Sequence, residues 1–183
     1  SPSKWKEMLA QNQEKVVVDV RNQYESKVGH FEGADLPPCE TFREFEQYAE
    51  DLKTKVDPKK TPVMMYCTGG IRCEFYSAVL MEHGFENVYQ LEGGVINYGI
   101  QEGSDHWLGK LFVFDDRLVV PISDEKTEVI GKCHHCETAF ESYYNCANMR
   151  CNKLFICCKE CLKEYVGCCS SDCQNAEHVR PYH

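Results

Sequence analysis

The sequence predicts an α/β fold, a parallel sheet flanked by helices, followed by a small cysteine-rich, zinc-binding domain. Two observations carry this reading. Over the first two-thirds of the 183 residues, short β-branched runs alternate with helix-like stretches, the pattern of βα units. After Gly131 the composition changes abruptly: only Cys39, Cys67 and Cys73 precede it, whereas ten of the thirteen cysteines fall between Cys133 and Cys173. With 43% hydrophobic residues, the chain can fill one ordinary core and a smaller second one.

The elements follow in chain order. Val16–Val20 reads as a buried strand, Pro62–Tyr66 as a second and Asn87–Leu91 as a third. Between the first two, Thr41–Leu52 spaces Phe42, Phe45, Ala49 and Leu52 as one helical face, with Thr41 as N-cap and Glu44 three residues on. A further helix is expected from Cys73 to His83, carrying Phe75, Val79 and Leu80 and stopped by Gly84. From Trp107 to Ile122 the chain reads as a hairpin or two short strands around Asp115-Asp116, joining the domains. The expected boundaries are therefore 1–106, 107–130 and 131–183.

In the last of these, Cys133 and Cys136 are spaced C-x2-C, Cys146 and Cys151 C-x4-C, Cys158 and Cys161 C-x2-C, and Cys169 and Cys173 C-x3-C. Tetrahedral thiolate coordination wants two such chelating pairs, so about two structural zinc ions are expected. Large apolar residues are too few there for the segment to fold unaided. Spacing leaves open whether the first pair joins the third or the second. It also leaves open whether Cys157 or Cys168 replaces its neighbour, and whether His134, His135 or His178 replaces a thiolate.

Composition restricts the function classes. No apolar run is long enough to cross a membrane and the N-terminal residues are polar, so a soluble, cytoplasmic protein with no membrane partner is expected. An odd cysteine count in that setting favours thiol chemistry and metal over disulfides. The formal charge of −9 excludes a general affinity for nucleic acid, so any RNA contact must be local. Two four-thiolate zinc sites would carry the charge to about −13. The sequence sets no oligomeric state, and no flavin, haem or iron motif marks an organic or redox cofactor.

The strand ending at Tyr66 runs into Cys67-Thr-Gly-Gly-Ile-Arg72, and α/β folds bind ligands at such strand ends. Gly69 and Gly70 free the backbone to curl, so the amides of Thr68, Gly69, Gly70, Ile71 and Arg72 can form an anion cradle. The following helix adds its positive end. Cys67 is the candidate nucleophile, ionised at neutral pH by those dipoles and by the Arg72 guanidinium. Cys73 is either a small hydrophobe or a thiol that resolves an oxidised Cys67. The C-x4-R loop is one residue shorter than the C-x5-R loop of cysteine phosphatases and suits a single sulfur better than a phosphate.

Four segments then sit in the pattern of the rhodanese domain: Val18-Asp-Val-Arg21-Asn-Gln-Tyr-Glu25, Gly29-His-Phe-Glu-Gly33-Ala, the Cys67 loop, and Leu91-Glu-Gly-Gly94. The match spans about residues 3 to 106. Cys73 after the loop, Phe42-Arg-Glu-Phe45, Phe112-Val-Phe-Asp115 and the Asn145–Asn148 segment make the chain similar to the rhodanese-like tRNA uridine hydroxylase family in particular. The resemblance implies a rhodanese-like sheet in which Asp19 and Arg21 support the site structurally. It further implies oxygen-dependent 5-hydroxylation of the wobble uridine, with tRNA as partner and molecular oxygen as co-substrate. Two alternatives stand beside it: a sulfurtransferase carrying a persulfide on Cys67 from a sulfur donor, and a non-enzymatic zinc-stabilised scaffold.

Overall fold

The computed structural model describes residues 1–182, without the side chain of Phe42. His183, the last residue of the expected cysteine-rich domain, lies outside the described residues, as does the expected inward packing of Phe42. Helix α1 (Pro2–Ala10) is capped by the Ser1 hydroxyl, which accepts from the Lys4 amide. It precedes β1 (Val16–Asp19), α2 (Gln23–Ser26), β2 (Gly29–Phe31) and α3 (Phe42–Lys53). Then come β3 (Val63–Tyr66), α4 (Ile71–Glu82), β4 (Val88–Gln90) and α5 (Gly94–Glu102). Strands β1, β3 and β4 form a parallel sheet in the order β1-β3-β4, with Val16 opposite Val63 and Val63 opposite Val88.

The central strand β3 is buried on both faces, and its side chains alternate between two cores. Val63 and Met65 face Phe45, Ala49 and Leu52 of α3 and Val79 and Leu80 of α4. Met64 and Tyr66 face Trp5 and Met8 of α1, Phe31 of β2, and Val95 and Tyr98 of α5. Helix α3 carries the expected capping box, with the Thr41 hydroxyl accepting from the Glu44 amide while the Glu44 carboxylate accepts from the Thr41 amide.

Helix α4 departs from expectation at its start. It begins at Ile71, two residues earlier than predicted, because Gly70 takes a left-handed φ of 91° as N-cap and turns the chain straight from strand to helix. Cys73 is thus the third helical residue and not the first, and it is buried. Val79 and Leu80 are buried on the inner face of α4, whereas Phe75 is 59% exposed.

Strand β5 (Trp107–Gly109) pairs antiparallel with β2, and β6 (Leu111–Phe112) pairs with β7 (Val119–Val120) as the expected hairpin. The cysteine-rich part holds a hairpin of β8 (Tyr143–Asn145) and β9 (Leu154–Ile156), then α6 (Lys159–Glu164) and α7 (Ser171–Gln174). It packs directly on the first part. Tyr143 and Ile156 share a small core with Val28 and Phe112, and the Tyr143 hydroxyl donates to the Tyr24 carbonyl. Among the described residues no helix is long and apolar enough to cross a membrane.

Candidate active site

Cys67 sits at the C-terminal end of β3, the middle strand of the sheet, where the chain must leave for α4. Two backbone features fix its loop. The first turn of α4 has amides without intrahelical partners, and the arrangement aims them back at the sulfur. The Gly70 N–H reaches Cys67 Sγ at 3.1 Å, and the Arg72 N–H also donates to it. From the other side, the N-terminal amides of α5 hold the loop's carbonyls: Val95 N–H donates to the Cys67 carbonyl at 3.0 Å and Ile96 N–H to that of Thr68 at 3.2 Å. This approach requires glycine at 94, where φ is 66° and a Cβ would fall 2.4 Å from the Thr68 carbonyl oxygen.

The Cys67 thiol is pulled down to about 5. The largest contribution is a hydrogen bond from the Cys73 thiol; the Arg72 and Gly70 amides and the Arg72 charge add to it and together outweigh burial. The same hydrogen bond, with burial, drives the Cys73 thiol up. At neutral pH the pair is therefore one thiolate and one thiol, with Cys67 carrying the charge.

Arg72 does not lie on the sulfur alone. Its guanidinium forms a bidentate pair with Glu25, Nη1 to Oε2 at 2.6 Å and Nη2 to Oε1 at 2.8 Å. Glu25 is fully buried, and it also accepts from the Thr68 hydroxyl at 3.0 Å. Burial opposes its charge, but the Arg72 pairing prevails and holds the carboxyl below its usual value. Glu25 thus ties α2 to the loop and fixes where the Arg72 charge stands. In the sequence Glu25 is marked only as a glutamate three residues after Asn22, in capping-box register.

Of the other expected residues, Asp19 and Arg21 form a buried unit behind the loop. Arg21 donates from Nε and Nη2 to both Asp19 oxygens at 2.9 and 2.6 Å and to the Gly29 carbonyl at 2.6 Å. The Tyr66 hydroxyl donates to Asp19 at 2.8 Å. Gly69 and Ile71, whose amides are expected in the cradle, are exposed as residues, Ile71 at 84%. Thr68 enters through its hydroxyl and carbonyl.

The eight expected metal ligands gather into two quartets. Cys133, Cys136, Cys158 and Cys161 form one; Cys146, Cys151, Cys169 and Cys173 form the other; in each, the sulfurs lie within 4.8 Å of one another. The first pair joins the third and the second the fourth, a cross-braced arrangement. Sulfur separations of 3.7 Å (Cys136–Cys158), 3.7 Å (Cys151–Cys169) and 3.9 Å (Cys169–Cys173) match the ~3.8 Å edge of a tetrahedron with metal–sulfur bonds of ~2.3 Å. Backbone amides add to the fit, Cys158 N–H reaching Cys133 Sγ at 3.3 Å and Cys169 N–H reaching Cys146 Sγ at 3.4 Å.

Cys157 and Cys168 stay outside, their thiols turned to the carbonyls of Cys158 and Val166. His135 stacks on Tyr165 at 3.8 Å, and His178 Nε2 lies 3.0 Å from the Arg150 guanidinium, so neither replaces a thiolate.

Comparison with known proteins gives the following. A family model described as a rhodanese-like domain matches residues 1–99, and one described as rhodanase C-terminal matches residues 108–174. A protein of Protochlamydia amoebophila (strain UWE25) named tRNA uridine(34) hydroxylase is 63% identical over all of this chain and 57% of its own length. Proteins of the same name from Chlamydia felis (strain Fe/C-56) and Chlamydia pneumoniae are 58% and 56% identical, again over the whole chain and 56% of their lengths. The chain thus spans little more than half the length of these relatives.

Proposed function

The chain belongs to the rhodanese-like domain family, and from that premise we propose that it is the reacting part of an enzyme that hydroxylates uridine 34 of tRNA at C5. The observation that carries the proposal is Cys67 at the end of β3 with the Gly70 amide 3.1 Å from its sulfur and Cys73 buried beside it, in a chain up to 63% identical throughout to relatives of that name. Arg72 and the Gly70 and Arg72 amides keep negative charge on the sulfur, Glu25 positions Arg72, and Cys73 supplies a proton at the thiolate. Molecular oxygen is the co-substrate in this reading, and the cytosol, where tRNA and reduced thiols coexist, is its compartment.

In the same reading the metal is zinc, held by the two quartets. It cross-links a segment whose interior is largely cysteine and takes no part in the reaction.

The test is nucleoside mass spectrometry of tRNA from cells with and without the protein. Wobble 5-hydroxyuridine is expected to fall in its absence and to return on complementation. An unchanged level, together with a one-sulfur adduct on Cys67 and cyanide-dependent thiocyanate release, would replace the reading with sulfur transfer.

A further inference from the structure

A cleft of about 460 Å³ opens between α2 and the cysteine-rich part. Its charge is unlike that of the molecule. Lys27, Lys132 and Lys153 line it together with Glu137 and Cys133, so three lysines gather at one place on a chain of formal charge −9. All three lysines are exposed, and no carboxylate among the described residues neutralises any of them within ion-pair distance. Three exposed ammonium groups free of ion-paired carboxylates can each take a phosphate of an incoming polyanion.

The walls of the cleft offer flat faces between those charges. Tyr24 and His134 line the cleft, and the His134 ring lies 5.8 Å from that of the buried Phe155 behind it. Tyr24 leads from it to the reacting sulfur. It is the chain neighbour of Glu25, which holds the Cys67 loop, and its ring lies 6.4 Å from that of Phe114. Phe114 is 65% exposed, and the Arg72 guanidinium stands 6.0 Å over it. An aromatic surface therefore runs from Arg72 across Phe114 to the lysine cleft. Alternating π-faces and lysines suit single-stranded RNA, whose unstacked bases need faces and whose phosphates need cations.

We propose that this cleft seats the nucleotides flanking the target uridine: Lys27, Lys132 and Lys153 bind their phosphates, and Tyr24 and Phe114 support the unstacked bases between cleft and Cys67. The assignment rests on the hydroxylase reading and adds to it where an acidic chain contacts its RNA.

The experiment uses the full chain and unmodified tRNA bearing uridine 34, with affinity measured across a salt series. The K27Q/K132Q/K153Q variant is expected to bind about 50-fold more weakly at 0.15 M salt, with the slope of log K against log salt shallower by about 2. Each single substitution should cost about fourfold. A charge-matched variant, K55Q/K59Q/K60Q, on the turn after α3, should bind as the wild type does, which separates the cleft from net charge. Equal thermal midpoints for the variants and wild type establish that loss of binding is not loss of fold.

Wild-type binding and hydroxylation together with an unaffected triple variant would overturn the cleft alone. A wild-type chain that neither binds this tRNA nor forms 5-hydroxyuridine would overturn the hydroxylase reading and the cleft with it.

Discussion

Cells whose only copy of the protein carries Cys67→Ser are expected to lose wobble 5-hydroxyuridine by at least ~1000-fold, a drop of the size seen when a nucleophile is removed from a working site. Several donors converge on the sulfur and favour negative charge there: the Gly70 amide at 3.1 Å, the Arg72 amide and charge, and the Cys73 thiol. A serine hydroxyl there stays neutral at pH 7, so the same donors would face an atom that carries no charge for them. The fold should survive the change. Cys67 is 1% exposed, the replacement is smaller by little, and the carbonyl that anchors the loop to Val95 is untouched. Nucleoside mass spectrometry alongside thermal unfolding checks both halves, and a folded C67S protein that restores the modification fully would leave only a scaffold role.

Metal removal should produce the second large effect. Chelation at neutral pH is expected to release about two zinc ions per chain and unfold residues 131–173, since structural sites of this kind contribute ~10–16 kcal/mol each. The cysteine-rich part has no core that outlives its metal: its buried cluster consists of seven cysteines with Ala147, Phe155 and Leu162. The first part differs. Its sheet is covered on both faces by apolar clusters that contain no metal ligand, so hydrogen exchange should show β1, β3 and β4 still protected after chelation. The shared core of Val28, Phe112, Tyr143 and Ile156 should loosen with the metal. Elemental analysis gives the contrary outcome: zinc near zero with all thiols titratable would remove the metal, and a value near one would release one quartet.

Much of this arrangement was legible in the sequence because local signals and tertiary packing agree there. β-branched runs gave the three parallel strands, and Thr41 with Glu44 gave the start of α3. The start of α4 was not legible, because Gly70 reads as loop until its left-handed conformation is seen to cap the helix. Strand β2 was not predicted either. Three residues carry no period, and it exists through its pairing with β5.

The quartets were half legible: C-x2-C spacing identifies chelating pairs, but only the β8–β9 hairpin, which carries Cys151 in its turn between Cys146 and Cys158, decides which pairs meet. Glu25 was hidden for the opposite reason. A glutamate reads as surface until the arginine that neutralises it is placed, and Arg72 is 47 residues away in the chain.

The central claim, that Cys67 is a thiolate made by its loop, is tested most directly by its alkylation rate with iodoacetamide as a function of pH, read on the Cys67 peptide by mass spectrometry. A lowered thiol reacts above its pKa and stops reacting as pH falls through it. The account predicts a midpoint near pH 5, moving upward in Cys73→Ala, where the largest of the stabilising hydrogen bonds is gone. A midpoint near the ordinary thiol value of about 8.5, unchanged by Cys73→Ala, would contradict it.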